Sequence, residues 1–445
     1  MTKNFLTICF VLSFTLNVFS QQDLTLYNMS RIPQVIYTNP AFIPDSRVNV
    51  GLPVLSSNYF SLGNSGFTYN SLLDVDKMIQ RMGTKNYLTS NIRVDLLSVG
   101  IGVKENYFSL NVTEHVYAKV TYPKGLFQFI WEGNGEELLG TRADMDGLGF
   151  DFMHHREYAL GFARNFSEKL TLGGRAKYLS GFQNIWTKTS KLGLTTDSTT
   201  YDITLDGAME VNTSGINGIV GGEFDVATGL ISAGNHGFAI DLGGSYKHNE
   251  KITFSSAILN LGFISWKNDV KNYKKDNFKF TFSGVDLNNF FSDDTAGEGS
   301  SQAIMDSLEA AFKVNESSDA YQAWLNAKVL LGATYKLTKN HTAGALIYTE
   351  FAKGNIRPAL TLSMNTKVQR WLSASLSYSV YNRSWANVGL GISLNAGPVQ
   401  LYVVTDNILA PIVPQVVKNA HLRFGITTTF GRKKKEAAAA APSVN

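Results

Sequence analysis

Alternation with a period of two, sustained over long runs, restricts this chain more than any other feature. In residues 370–380, Leu372, Ala374, Leu376, Tyr378 and Val380 share one face, and Ser373, Ser375, Ser377 and Ser379 share the other. Residues 385–395 set Ala386, Val388, Leu390, Ile392 and Leu394 against Asn387, Gly389, Gly391, Ser393 and Asn395. Residues 421–430 set Leu422, Phe424, Ile426, Thr428 and Phe430 against His421, Arg423, Gly425, Thr427 and Thr429. Successive side chains of a strand point to opposite faces, so each run reads as a strand with one greasy and one polar side. The pattern recurs at 107–120, 170–178, 237–247 and 356–365. Glu114 interrupts the apolar face of the first of these, which predicts a membrane boundary or a bulge there.

A soluble sandwich turns the greasy face inward, whereas a membrane barrel turns it outward to lipid. Three features favour the barrel. The runs approach the roughly 9–11 residues that cross a bilayer at a tilt, against about five or six in an ordinary strand. Their polar faces are rich in Gly and Ser, which suit a crowded lumen. The N-terminus, "MTKNFLTICFVLSFTLNVFSQQ", has the order of an export signal: Lys3, an apolar core from Phe5 to Leu16, then small Val18 and Ser20 before a cleavage point ahead of Gln21. The expected fold is therefore all-β, a transmembrane antiparallel barrel of about fourteen strands. Residues 1–20 are the signal, 47–431 the barrel and 432–445, "RKKKEAAAAAPSVN", a disordered periplasmic tail. The expected location is the outer membrane, with its lipid as one partner.

Short polar turns at 165–169, 247–251, 337–341, 365–369 and 395–398 separate the runs. Long connections are expected at 66–92, 122–147, 212–236 and 267–322, with helices at 71–82, 123–132 and 301–314. Residues 267–284 read as one strand plus a loop or as loop throughout. If the C-terminus is periplasmic, the turns near 338, 368 and 397 share its side, and 285–322 is an external insertion.

The sequence offers little for catalysis. The single cysteine, Cys9, falls in the signal, so no thiol chemistry or disulfide is expected of the mature chain. Seven histidines include no HExxH spacing, and His154 and His155 fall on opposite faces of a strand. There is no GxSxG elbow, and the Gly-rich 133–140 lacks the ending of a phosphate loop. No enzyme, metal or cofactor is expected. A net charge of +4 without a basic, aromatic stripe gives no reason to expect nucleic acid.

Charges do fall on the polar faces. Lys119, Arg175, Lys177, Lys247, Arg357 and Arg423 are expected in the lumen, against Glu157 and Asp241. Such an interior would attract anions, carboxylates included, unless the charges pair across it and simply fill it.

Residues 21–73 carry Asn39-Pro40-Ala41-Phe42 directly before the first strand. Together with "GNSGFTYN" (63–70), "EYALGFARNFSEKLTLGGRAKYLSG" (157–181) and "LNLGFISWK" (259–267), this resembles outer-membrane barrels of the Bacteroidota. These include the PorP/SprF group tied to type IX secretion and, more closely, a related family labelled only as a domain of unknown function. The whole set is broadly similar to long-chain fatty-acid transporter barrels, which have fourteen strands and an N-terminal plug. The resemblance implies a plug at residues 21–46, where Pro33, Pro40 and Pro44 oppose regular strand. It lends no substrate and no functional residues. Two functions follow as expectations: a channel or transporter for small hydrophobic or amphipathic molecules, or a membrane anchor for a protein partner in surface or secretion machinery.

Overall fold

The computed structural model describes residues 23–431 except 134, 136–137, 217–233, 284–313, 354, 370, 382–383 and 386. The expected signal, the expected tail and the helix expected at 301–314 lie outside the described residues.

The strands, in chain order, begin with β1 (Val48–Gly51), β2 (Asn58–Asn64), β3 (Lys85–Val103), β4 (Asn106–Pro123), β5 (Arg142–Asp144), β6 (Gly149–Asn165) and β7 (Leu170–Thr196). They continue as β8 (Ile203–Ser214), β9 (Asn235–Lys247), β10 (Ile252–Trp266), β11 (Val270–Phe282), β12 (Asn315–Ser317), β13 (Tyr321–Trp324) and β14 (Ala327–Lys336). The last are β15 (His341–Ala352), β16 (Asn355–Thr366), β17 (Leu372–Tyr381), β18 (Val388–Ala396), β19 (Val399–Thr405) and β20 (Asn419–Phe430).

Fourteen of these positions close into an antiparallel ring. β1 and β2 are two halves of one broken strand: both pair with β3 on one side and with β20 on the other. The ring then runs through β3, β4, β6, β7, β9, β10, β14 and onward in sequence to β20. β20 therefore closes against the first strand, with Val48 opposite Phe430. Closure leaves the ring no edge strand, which matters because an open edge exposes unpaired backbone groups.

The two faces of the wall separate as the alternation requires. Leu360, Leu362, Leu376 and Tyr378 are exposed on the outside, while Thr361, Ser363, Ser375, Ser377 and Ser379 are buried inside. One rim carries short turns, including 166–169, 248–251, 337–340 and 397–398, together with the chain's exit at Gly431. The opposite rim carries the long connections. Helix α1 (Val75–Arg81) and helix α2 (Lys124–Glu132) lie there, packed through Met78, Ile79, Tyr122 and Phe127.

Several of the expected long connections prove partly stranded. β3 begins at Lys85, within the expected 66–92 connection. β7 continues well past the ring, and its far half pairs with β8, which pairs with β11. β5 and β12 flank this sheet. Residues 270–282 are thus a strand of an overhanging sheet at the long-loop rim rather than a member of the ring.

Two bulges explain local breaks in the period. One lies between Asp95 and Leu97 of β3, opposite Thr113 and Val112, immediately beside Glu114. The other lies at Phe182 of β7, which is left unpaired opposite His154 and His155 of β6. His154 faces outward, its Nε2 2.6 Å from Glu114 Oε1, and Arg156 Nε donates to Glu114 Oε2 at 2.7 Å. His155 faces inward and stacks on His115, with ring centres 4.8 Å apart.

Candidate functional site: the lumen and the segment within it

Residues Asp23–Ser46 lie inside the barrel as two short 3-10 turns, Leu26–Asn28 and Pro33–Tyr37, joined by irregular chain. Most of the segment is buried, and polar contacts hold it as much as apolar ones. Asp23 is its strongest attachment. Arg423 Nε and Nη2 donate to the two Asp23 oxygens at 2.6 and 2.9 Å, and Arg93 Nη2 donates at 2.7 Å. Burial alone would raise the Asp23 carboxyl, but the guanidiniums of Arg423 and Arg93 overcome this and hold it well below the usual carboxylate range. A reciprocal contact follows one residue later: Asp406 of the wall accepts from Leu24 N at 3.0 Å and Thr25 N at 2.7 Å. His421 lies between these two carboxylates, 3.4 Å from Asp23 and 3.6 Å from Asp406.

At the short-turn rim the Asn39-Pro40-Ala41-Phe42 motif turns the chain. Asn39 Oδ1 accepts from Ala41 N at 2.9 Å, and Phe42 N donates to Asn39 O at 3.0 Å. Asn39 Nδ2 reaches Gly244 O at 3.3 Å and Ser256 O at 3.1 Å on the wall. Phe42 packs edge-on against Tyr27, with centroids 5.1 Å apart. Two inward glycines make room for the motif. A Cβ on Gly173 would sit 2.4 Å from Pro40 O, and one on Gly243 would sit 2.1 Å from Asn39 Oδ1. Either contact is below any tolerable van der Waals distance, so side chains larger than hydrogen at these points exclude the motif.

Seven of the eight charges expected in the lumen are buried there and paired. Lys119 binds Asp151 at 2.8 Å. Arg175 joins Glu157 at 3.1 Å and Asp241 at 3.0 Å, and Lys177 joins the same two carboxylates at 3.2 and 2.8 Å. Arg357 reaches Glu350 at 3.4 Å, and Arg423 holds Asp23. Lys247 departs from the expectation. It ends β9 at the short-turn rim, is exposed, and takes part in the turn through its backbone, its N donating to Lys169 O at 2.8 Å. The period placed it on the inward face, but the strand has left the lumen by that residue.

The segment does not fill the barrel. Within the walls of β3, β4, β6, β10 and β14 lie two adjoining cavities of about 70 Å³ each, one bordering the segment at Tyr37 and the other lined by the wall and its long-loop rim. They share Asn91, His115, Glu157, Asn260 and Lys328 as lining. One water needs about 10–15 Å³, so each has room for roughly five or six. Cations outnumber carboxylates around them: Arg93, Arg175, Lys177, Lys328, Lys353 and Arg423 stand against Asp95, Asp151, Glu157 and Glu350. Towards the long-loop rim the lining includes Met153 and Leu325, at the border of an inward apolar cluster with Leu179, Ile264 and Trp266. Among the described residues no group of three or more His, Cys, Asp or Glu could hold a metal ion.

Asp23, Arg93, Asp95, Lys328, Glu350 and Asp406 were absent from the residues expected on sequence. Arg93 and Asp95 precede the β3 bulge and alternate with Ile92 and Val94, a usable signal. Lys328 had none: Leu330 faces inward and Leu331 outward, so the β14 pattern is apolar on both faces.

The protein is thus a closed fourteen-stranded barrel with its own N-terminal segment lodged inside. It belongs to a family of unknown function (DUF5723), whose model matches residues 40–406. No curated protein matches the chain. Among solved structures it is similar to the Pseudomonas putida toluene transporter TodX, at 10% identity and a TM-score of 0.41, covering 89% of this chain and 94% of that one. A Pseudomonas aeruginosa FadL homologue gives 10% identity and 0.41, over 90% and 94%. The KdgM porin gives 6% and 0.27, over 86% and 99%. At that distance the likeness says nothing about substrate.

Proposed function

We propose that the protein is an integral outer-membrane channel that admits small amphipathic molecules when its N-terminal segment shifts, with residues 1–20 as its export signal. The observation that carries this reading is the cavity space beside the segment, which borders it at Tyr37 and runs on towards the long-loop rim. It is apolar at Met153 and Leu325 and charged at Lys328 and Glu157, so it offers both kinds of contact to one small molecule. Purely hydrophobic cargo fits less well, because transfer past buried ion pairs lacks a continuous apolar surface. The outward Leu, Ile and Phe side chains give the wall its lipid-facing surface. Uptake into liposomes tests the reading. Full-length protein should pass a small amphipathic solute slowly, and a chain lacking residues 21–46 should pass it faster. Equal uptake by the two, or none by either above protein-free liposomes, would refute it.

One observation favours a second reading. The overhanging sheet of β7, β8 and β11 projects beyond the ring and keeps Met209 exposed. It would serve as a platform for a protein partner in envelope machinery, with the barrel as anchor. Native-membrane pull-down that returns only the barrel, for wild type and for a chain trimmed of this sheet, would remove that reading.

A further inference from the structure

The geometry points to a binding site for a small organic carboxylate centred on Lys328, at the junction of the two cavities; this inference rests on the channel reading and names its ligand class. Lys328 is only 9% exposed, yet its ammonium makes no hydrogen bond or ion pair with any described residue. A buried cation without a partner is costly, and proteins ordinarily pair it or keep it hydrated.

The neighbouring carboxylates are committed elsewhere. Glu350 lies directly across the strand pair from Lys328 but is engaged by Arg357 at 3.4 Å. Asp151 is shared by Lys119 at 2.8 Å and Lys353 at 3.0 Å. Glu157 is held by Arg175 and Lys177. Two further polar atoms nearby lack hydrogen bonds, but both are fully buried and not exposed to the cavities. His115 Nε2 makes no hydrogen bond, its nearest carboxylate oxygen being Glu157 Oε2 at 3.7 Å, and Arg93 Nε has no acceptor. The junction therefore presents an uncommitted ammonium amid excess positive charge, and it lacks an anion.

An oxyanion at Lys328 supplies that anion, and Lys328 then donates charge-assisted hydrogen bonds to it. Met153 and Leu325 receive a short apolar body on the side of the long-loop rim. Size limits the ligand. Room for roughly ten to twelve waters in the two cavities together admits a short carboxylate with space to spare and excludes a long acyl chain of about fourteen non-hydrogen atoms.

Equilibrium dialysis of the full chain in detergent against radiolabelled butyrate tests this, with n-butanol, inorganic phosphate and dodecanoate as competitors. Butyrate should bind, and none of the three should displace it at equal concentration. Lys328→Met should weaken binding by about tenfold to a hundredfold, the worth of a charge-assisted hydrogen bond. Lys328→Arg, which keeps the charge, should restore most of it. Lys328→Gln serves as a second neutral variant should Lys328→Met fail to fold, folding being judged by the heat-dependent gel mobility of the barrel. Equal binding by a folded neutral variant and wild type would overturn the assignment. So would displacement by phosphate, which would make this a site for inorganic oxyanions, or by dodecanoate, which the volume excludes. Liposome uptake separates this result from the channel reading. Lys328-dependent binding without passage refutes only the channel, and passage without Lys328-dependent binding refutes only the site.

Discussion

Asp23→Asn separates the N-terminal segment from the wall with the smallest change in shape. Asp23 accepts three charge-assisted hydrogen bonds, two from Arg423 and one from Arg93. Asparagine turns one acceptor into a donor that faces guanidinium donors and leaves Arg423, 1% exposed, without its counter-charge. Breaking a buried pair by removing one partner costs about 3–5 kcal/mol. The wall keeps its own strand pairing, so the loss falls on the docked state of the segment. At 1.4 kcal/mol per tenfold, the undocked fraction should rise by between about a hundredfold and a few thousandfold. The assay is labelling of Val35→Cys by a membrane-impermeant maleimide; Val35 is 1% exposed when docked. Asp74→Asn is the control. Its 2.6 Å bond to Lys77 is on the exposed surface, where an ion pair contributes about 0–1 kcal/mol, so labelling should not change. Equal labelling rates with and without the Asp23→Asn substitution would show that this cluster does not hold the segment.

Three further outcomes follow from the same geometry. Gly243→Val should expel the Asn39–Phe42 motif, because its Cβ would overlap Asn39 Oδ1 at 2.1 Å; limited proteolysis should then cut near Asn39, while an uncut segment would refute the contact. Leu376→Arg, on the outward face of β17, should cost about 2–4 kcal/mol in urea unfolding from lipid vesicles if that face meets the bilayer core; no loss would mean that it does not. A carboxyl depressed in the folded state stabilises above its unfolded pKa and loses that contribution as pH falls through the folded one. Asp23 is such a group, so Val35→Cys labelling, taken relative to that of an exposed cysteine at the same pH because the thiolate is the reactive form, should be flat from pH 7 to about pH 5 and should rise only below about pH 4.

The strands from β14 to β20 were legible because their inward residues are small or polar and their outward ones apolar, without interruption. Where a bulge intervened, the reading stopped. In β3 the outward face runs through Ile92 and Val94 and resumes at Leu97 and Val99, so the parity shifts by one residue and a strict period-two scan sees two short fragments. In β7 the shift at Phe182 hid the far half, which goes on to form the overhang. Charges on the inward face were also legible, but their partners were not. Asp23 and Arg423 are 400 residues apart, and only closure of β20 onto the first strand brings them together. Lys247 shows the opposite limit: parity tells which way a side chain points and not how far along the barrel its strand has run.

The inner wall has two chemistries, and their division accounts for both the docked segment and the cavity. From β16 to β19 the inward residues are mainly Ser, Thr and Gly. There Thr25 meets Ser377 at 2.8 Å, Asn28 meets Ser363 at 3.0 Å, and Met29 lies over Gly391, where a Cβ would come within 2.3 Å of its sulfur. Short side chains bring the segment close to this wall. From β3 to β7 the inward residues are long and charged, among them Arg93, His115, Glu157, Arg175 and Lys177. Their reach leaves a gap beside the segment, which Tyr37 spans to Asp95 at 2.5 Å and Asp23 closes at Arg93. The same gap leaves Lys328 facing a cavity instead of a carboxylate. A uniformly Ser/Gly wall would have let the segment fill the lumen, but it would have left Asp23 without Arg93 and Arg423.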